Sequence, residues 1–284
     1  MTARAAVLGQ PIAHSLSPVL HRAAYRAMGL SGWRYDAVEC GSAELAGWLA
    51  TLGPEWVGLS LTMPLKRVAC SVADQVSPLV VEVGAANTLV RRDGGWYADN
   101  TDVGGIVDAL RAAGVTDPAG AVLLGAGGTA QAALAALREL GEPHPTVLVR
   151  EPGRTGELQA TADRLGVAPV VARGLDDPAV YQAPLVISTV PRGAADVVAH
   201  RPEWTLMDGP PGGVVFDVVY DPWPTPLALS AAESGRRVIS GLDLLLHQAV
   251  RQVRLMTGRA QVPVAAMRAA LRDVAGPAVG TDPP

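Results

Sequence analysis

Of the 23 basic residues in this 284-residue chain, 22 are arginines and one, Lys66, is a lysine. Arginine serves surface charge as well as lysine does. Its guanidinium stays protonated near neutral pH, however, whereas a desolvated ammonium can release a proton. Proton donation is therefore the chemistry that sets Lys66 apart. The residue closes the run Ser60-Leu61-Thr62-Met63-Pro64-Leu65-Lys66, read as a strand that leaves its sheet and enters a helix at Pro64. Strand ends in open α/β sheets are where ligands collect. The carboxylate expected to meet it is Asp102, in Asn100-Thr101-Asp102, because an aspartate favours the ammonium while burial opposes it. Asp102 also suits the N-cap of a helix over 104–113. Ser15 and Ser17, in His14-Ser15-Leu16-Ser17-Pro18, place two hydroxyls at a helix start, an arrangement that suits a carboxylate. Ser17 reads as the cap of that helix.

A second group of residues fits a dinucleotide. Gly125-Ala126-Gly127-Gly128-Thr129-Ala130 follows the apolar run 121–124 directly. In such a turn Gly125 permits the bend, Gly127 lets the backbone approach a pyrophosphate, and the following helix offers its amides and dipole. The second strand of the unit ends in Val149-Arg150-Glu151-Pro152-Gly153-Arg154. Arg150 and Arg154 suit the 2′-phosphate of NADP, while Glu151 could accept from the free 2′-hydroxyl of NAD. The five histidines (His14, His21, His144, His200 and His247) show no metal-ligand spacing, so structural or surface roles and no bound metal are expected.

The elements that must position these groups alternate short β-branched runs with Ala/Leu-rich stretches, the pattern of an α/β fold. Strands are expected at 4–8, 33–38, 56–61, 87–91, 96–98, 121–124, 146–150, 167–172, 185–188 and 214–219. Helices are expected from Ser17 to Gly29 and near 43–52, 104–113, 129–140, 242–257 and 263–274. Asp93-Gly94 marks a hairpin, and the Gly/Pro-rich end of the chain is expected to fray.

The chain is 49% apolar and 18% charged, with a net charge of −4. That balance argues against disorder and against a nucleic-acid partner. The uncharged run 118–137 is interrupted by Gly120, Gly125, Gly127 and Gly128, so no membrane span is expected. The N-terminus has too short an apolar stretch for a signal peptide. Cys40 and Cys70 make no disulfide framework. They read as lone buried hydrophobes of a cytoplasmic protein.

In this order the segments resemble the shikimate dehydrogenase family. The resemblance rests on S-L-S-P-x-x-H at 15–21, L-T-x-P-x-K at 61–66, G-A-x-N-T-L at 84–89, N-T-D at 100–102, G-A-G-G at 125–128, Y-x-P-x-x-T-P-L at 220–227 and G-x-x-x-L-x-x-Q-A at 241–249. It implies a two-domain α/β protein with a central cleft. Residues 1–103, completed by the C-terminal helices of 242–284, would form a substrate-binding domain, and 104–241 an NADP-binding Rossmann domain. The implied reaction is reversible NADPH-dependent reduction of 3-dehydroshikimate to shikimate, with Lys66 and Asp102 as the catalytic pair. Ser15 and Ser17 would hold the substrate carboxylate. Ser60, Thr62, Asn87, Tyr220 and Gln248 would complete the substrate site. Gly125, Ala126, Gly127, Gly128, Thr129, Arg150, Arg154 and Gly241 would hold the cofactor.

Several positions depart from the family pattern. Ser60 stands where Asn is usual, Gln131 where an Arg would add charge near the phosphates, and Val149 and Glu151 where Asn and Thr flank Arg150. An NAD-using quinate/shikimate or aminoshikimate dehydrogenase is the alternative within the class, and a non-catalytic dinucleotide-binding sensor the alternative outside it. A monomer and a homodimer are both compatible with the sequence.

Overall fold

The computed structural model describes residues 2–206 and 210–275. The chain divides into two compact units. Over the described residues, one comprises 2–105 with 245–275, and the other 106–206 with 210–244. Residues 276–284, the segment expected to fray and the end of the expected substrate-binding domain, lie outside the described residues.

The first unit carries β1 (Ala3–Gly9), α1 (Ser17–Ala27), β2 (Trp33–Glu39), α2 (Leu45–Ala50), β3 (Trp56–Leu61), α3 (Val68–Val72), β4 (Gln75–Val76), α4 (Pro78–Val83), β5 (Thr88–Arg92), β6 (Gly95–Asp99) and the start of α5 (Thr101–Ala112). Its sheet runs β2-β1-β3-β5-β6-β4. The β1 strand is parallel to β2 and β3, and β5 is antiparallel to β3 and β6. The Asp93-Gly94 hairpin forms as expected, with both residues at positive φ (49° and 83°), which is what a two-residue primed turn requires. Leu8, Leu45, Leu59, Leu61, Leu65 and Leu89 form the core on one face of this sheet.

The second unit carries β7 (Val122–Leu124), α6 (Gly128–Glu139), β8 (Thr146–Val149), α7 (Gly156–Leu165), β9 (Val170–Arg173), α8 (Ala179–Gln182), β10 (Leu185–Ser188), α9 (Asp196–Ala199), α10 (Glu203–Leu206), β11 (Val214–Asp217), α11 (Pro226–Glu233) and β12 (Arg237–Ser240). All six strands are parallel, in the order β12-β11-β10-β7-β8-β9. Numbered within the unit this is 6-5-4-1-2-3, the doubly wound Rossmann order, with its reversal between the first and fourth strands. Both faces of such a sheet are covered, which is why its strands are short apolar runs without alternation. Among the described residues the last two helices are α12 (Gly241–Thr257) and α13 (Val264–Ala275), and α13 packs on α1.

Three expectations need correction. The segment after β3 does not enter a helix at Pro64; residues 63–67 form turns and α3 begins at Val68. Helix α5 begins at Thr101, earlier than the expected 104, because Asn100 Oδ1 accepts the amides of Asp102 (3.0 Å) and Val103 (3.3 Å). Asp102 is therefore a first-turn residue and not the cap. The strand expected at 167–172 runs over Val170–Arg173, since Gly166 in the left-handed region ends α7 immediately before it.

Candidate active site

The turn after β3 carries Lys66, and three contacts fix its backbone. Thr62 N–H donates to Leu8 O (2.9 Å), Leu65 N–H donates to Thr62 O (2.8 Å), and Ala86 N–H donates to Lys66 O (2.7 Å). Leu65 is fully buried beneath the turn. Lys66 is consequently presented from a clamped segment, with its side chain 18% exposed.

Its partner comes from α5. Lys66 Nζ lies 2.6 Å from Asp102 Oδ2, and the aspartate side chain is 8% exposed. Asn87 Nδ2 donates to the other oxygen, Oδ1, at 2.8 Å. The Asn87 amide can point only one way, because its Oδ1 accepts the main-chain N–H of Thr101 (2.7 Å), together with the hydroxyls of Thr88 (2.8 Å) and Thr101 (3.1 Å). Asp102 also sits at the positive end of the α5 dipole, where a carboxylate is favoured. Gln248, on α12, is buried; its Nε2 donates to Leu245 O (2.8 Å), and its Oε1 is 3.5 Å from Asn87 Nδ2. Lys66, Asp102, Asn87 and Gln248 are thus gathered in the first unit.

Other expected substrate residues divide into two groups. Ser15 and Thr62 are partly exposed. Ser17 and Ser60 are buried. Ser17 does not cap α1: the cap position is Leu16, without a side-chain bond. Burial pushes the Tyr35 phenol up, against the lowering effect of Ser60 and Ser17 beside it. Ser60 Oγ accepts from Tyr35 Oη (2.5 Å) and donates to Gln252 Oε1 (2.7 Å), so its hydroxyl belongs to an internal network. His21 has the structural role expected of it: it is buried, stacks on Tyr35 with ring centroids 3.9 Å apart, and its Nε2 is 3.2 Å from Gln252 Oε1. Tyr35 and Gln252 went unnoticed in the sequence. An i, i+4 step from Gln248 to Gln252 places both on one face of a helix, and that spacing is the signal that could have found Gln252. Cys40 is buried as expected, but Cys70 is only partly buried, its thiol 3.6 Å from Lys66 O.

In the second unit the glycine turn has the form a phosphate-binding loop needs. Gly125 has φ +109°, and a Cβ there would meet Thr189 Oγ1 at 2.7 Å. Its N–H donates to Leu148 O (3.0 Å), which ties the turn to the end of β8. Gly127 is the N-cap of α6, without a side-chain cap, and a Cβ there would meet nothing within 4 Å. Bare backbone beside open space at an uncapped helix start fits a pyrophosphate. Ala126 and Gly128 are partly exposed in the same turn, with Thr129 next on α6. Arg150 and Arg154 are exposed just past β8, and Glu151 lies 3.8 Å from Arg154. Gln131 turns inward instead of facing the turn: it is fully buried, and its Nε2 donates to Thr161 Oγ1 (2.8 Å) on α7.

Asp217, at the end of β11, accepts from Thr225 Oγ1 (2.7 Å) and Val219 N–H (3.2 Å), bracketing the segment that carries Tyr220. Burial raises its carboxyl above the usual range, and the Thr225 bond opposes that shift. Gly241 starts α12 so close to β11 that a Cβ would lie 2.1 Å from Val218 O, which explains glycine there on packing grounds. Among the described residues no group of three or more His, Cys, Asp or Glu could hold a metal, and no helix is long and apolar enough to cross a membrane.

Comparison with known proteins identifies the family. Residues 7–89 match the model of the shikimate dehydrogenase substrate binding domain, and 241–272 that of the shikimate 5'-dehydrogenase C-terminal domain. The shikimate dehydrogenase (NADP(+)) of Moorella thermoacetica is 39% identical over 98% of this chain and 96% of its own. The chain belongs to the shikimate dehydrogenase family. Solved structures of the family share its fold. That of the Mycobacterium tuberculosis shikimate dehydrogenase superposes with a TM-score of 0.84, at 46% identity, over 96% of this chain and 100% of the other. The Thermus thermophilus enzyme, in complex with NADP(H) and shikimate, superposes at 0.81, with 34% identity, over 96% and 99%.

The buried histidine makes this unit sensitive to acid. Burial drives the His21 imidazole from 6.5 down to about 3, against the raising effect of its bond with Gln252. Between those values the unfolded chain binds a proton that the native state excludes. Stability therefore falls as pH falls through that window, by up to about 1.4 kcal/mol per pH unit from this one group. Urea unfolding measured from pH 7 to pH 4.5 should show the decline, with a shallower slope in His21→Gln. Parallel slopes in the two proteins would contradict the assignment.

Proposed function

We propose that Lys66 and Asp102 are the catalytic pair of a shikimate dehydrogenase, an NADP-dependent oxidoreductase acting on a CH–OH group that reversibly reduces 3-dehydroshikimate to shikimate. The observation that carries this reading is the 2.6 Å contact between the sequence's one lysine and the carboxylate of Asp102. NADPH, when bound, supplies the hydride. The carbonyl oxygen that gains charge takes a proton from Lys66 Nζ, and in the reverse direction Nζ takes it back from the hydroxyl. Asp102 Oδ2 holds the ammonium in position, and Asn87 keeps the carboxylate turned toward it. General acid–base assistance of this kind is worth ~10²–10⁴-fold in rate.

Ser15, Ser17, Thr62, Asn87, Gln248 and Tyr220 are assigned to the substrate, with the serines on its carboxylate. Ser60 has its hydroxyl in the internal bonds to Tyr35 and Gln252, so it is assigned to the wall behind the site. The turn from Gly125 to Thr129 is assigned to the pyrophosphate, Arg150 and Arg154 to the 2′-phosphate, and Gly241 to the cofactor. NADP over NAD is supported by Arg150 and Arg154 just past β8 and by the NADP(+) dependence named for the Moorella thermoacetica relative. The expected substrate-binding and Rossmann domains correspond in this proposal to the two compact units. A cytoplasmic location is supported by two cysteines that form no disulfide.

Oxidation of shikimate with NADP should raise absorbance at the reduced-nicotinamide wavelength. Lys66→Ala should lower kcat by at least ~10²-fold with little change in the KM for NADP. Near-normal turnover in that variant would remove Lys66 from its role, and no signal from the parent at high concentration would favour the sensor. Arg150→Ala should weaken NADP far more than NAD, as read from the two KM values. Equal losses would mean that this arginine does not read the 2′-phosphate.

A further inference from the structure

Gln252 is 1% exposed on α12, one helical turn past Gln248 and outside the Lys66–Asp102 pair itself. Its amide nonetheless has a fixed orientation. Nε2 lies 3.4 Å from Asn87 O, a main-chain carbonyl that can only accept, and 3.1 Å from Thr88 Oγ1. Oε1 therefore faces the other way, toward Ser60 Oγ at 2.7 Å and His21 Nε2 at 3.2 Å. Because Gln252 donates to the Thr88 hydroxyl, the Thr88 proton is directed to Asn87 Oδ1, 2.8 Å away. The opposite end of the Asn87 amide then donates to Asp102 Oδ1. Tyr35 Oη, donating to Ser60, supplies the far end of the same series. From Tyr35 to Asp102 every proton thus points in one direction, and bonds aligned in this way polarise and strengthen one another in a low-dielectric interior.

We infer that Gln252 is a positioning residue for the Lys66–Asp102 pair, acting through Thr88 and Asn87. The inference rests on the reading of Lys66 and Asp102 as the catalytic pair. It also gives Ser60 a purpose other than substrate contact, since its hydroxyl supplies Gln252 Oε1 with a donor. Loss of the Gln252 amide removes the donor that directs the Thr88 proton to Asn87 Oδ1, and Asn87 then loses one of the bonds that hold its Nδ2 on Asp102. Such a residue affects the turnover of bound substrate and leaves cofactor binding alone.

Steady-state kinetics on the full chain test this. Gln252→Met, close in length but without the amide, should lower kcat about tenfold or more while the KM for NADP stays within twofold. Thr88→Val, which removes the next link without changing shape, should show the same split, and Thr88→Ser should recover most of the loss because it restores the hydroxyl. The double variant Gln252→Met/Thr88→Val should be little worse than either single variant, as expected of residues acting through one series of bonds. If Gln252→Met does not fold, the Thr88→Val and Thr88→Ser pair decides the matter alone. Values of kcat within twofold of the parent in Gln252→Met and Thr88→Val, alongside an inactive Lys66→Ala, would overturn the role of Gln252 and leave the catalytic pair intact. Near-parental turnover in Lys66→Ala would remove the pair, and this inference with it.

Discussion

The first unit is organised around an ion pair taken mostly out of water. Desolvating an ammonium and a carboxylate costs several kcal/mol per ion, and their attraction offsets this only when the remaining hydrogen-bonding capacity is also satisfied. The Asp102 carboxylate meets that condition on both of its oxygens. One carboxylate oxygen takes the ammonium at 2.6 Å and the other takes Asn87 Nδ2 at 2.8 Å. Nothing in this arrangement makes the pair a net source of stability. On the proposed reading its value is positional, because a proton donor held within ångströms of its working place avoids searching for that place in each turnover.

Holding the pair requires main-chain anchors, since side chains alone would swing. Residues 63–67 are not helical, and Lys66 is instead pinned by its own carbonyl to Ala86 and by the buried Leu65. On the other side Asn100 caps α5 and ties to Ala85 O (2.8 Å). Capping by Asn100 frees Asp102 from the local hydrogen bond that a cap aspartate would make. The glycine turn of the second unit works on the same principle. Backbone, and not side chain, faces the open space at Gly127, and Gly125 is needed because φ +109° and the nearness of Thr189 exclude a Cβ.

Much of this was legible in the sequence because it is local. The strand–turn–helix around Gly125, the hairpin at Asp93-Gly94 and the candidate residues Lys66, Asn87 and Asp102 all lie within short motifs whose chemistry can be read from neighbours. Helix α7 was missed although Leu158, Thr161, Ala162 and Leu165 form its buried face; the polar residues between them outweigh a stripe that includes a threonine and an alanine. Strand β12 is four residues that begin on Arg237, directly after Arg236, too short for a period to declare itself. The network behind the site was illegible for a different reason. Ser60 and Gln252 are 192 positions apart, and His21 and Gln252 are 231 apart. Only the folded chain brings them together, and no local pattern distinguishes a buried serine in such a network from one facing a ligand. Ser60 was accordingly expected at the substrate, and Gln131 beside the phosphates, where the fold turns both inward.

The most direct measurement is the kcat of Lys66→Arg near neutral pH, with substrate affinity measured separately by calorimetry. Arginine preserves the positive charge and can still pair with Asp102, but its guanidinium does not release a proton in this range. The expected result is a fall in kcat of at least ~10²-fold, within the range of lost acid–base assistance, with substrate affinity largely retained. Turnover within a few-fold of the parent would show that charge alone suffices at this position and that the lysine is not the proton donor.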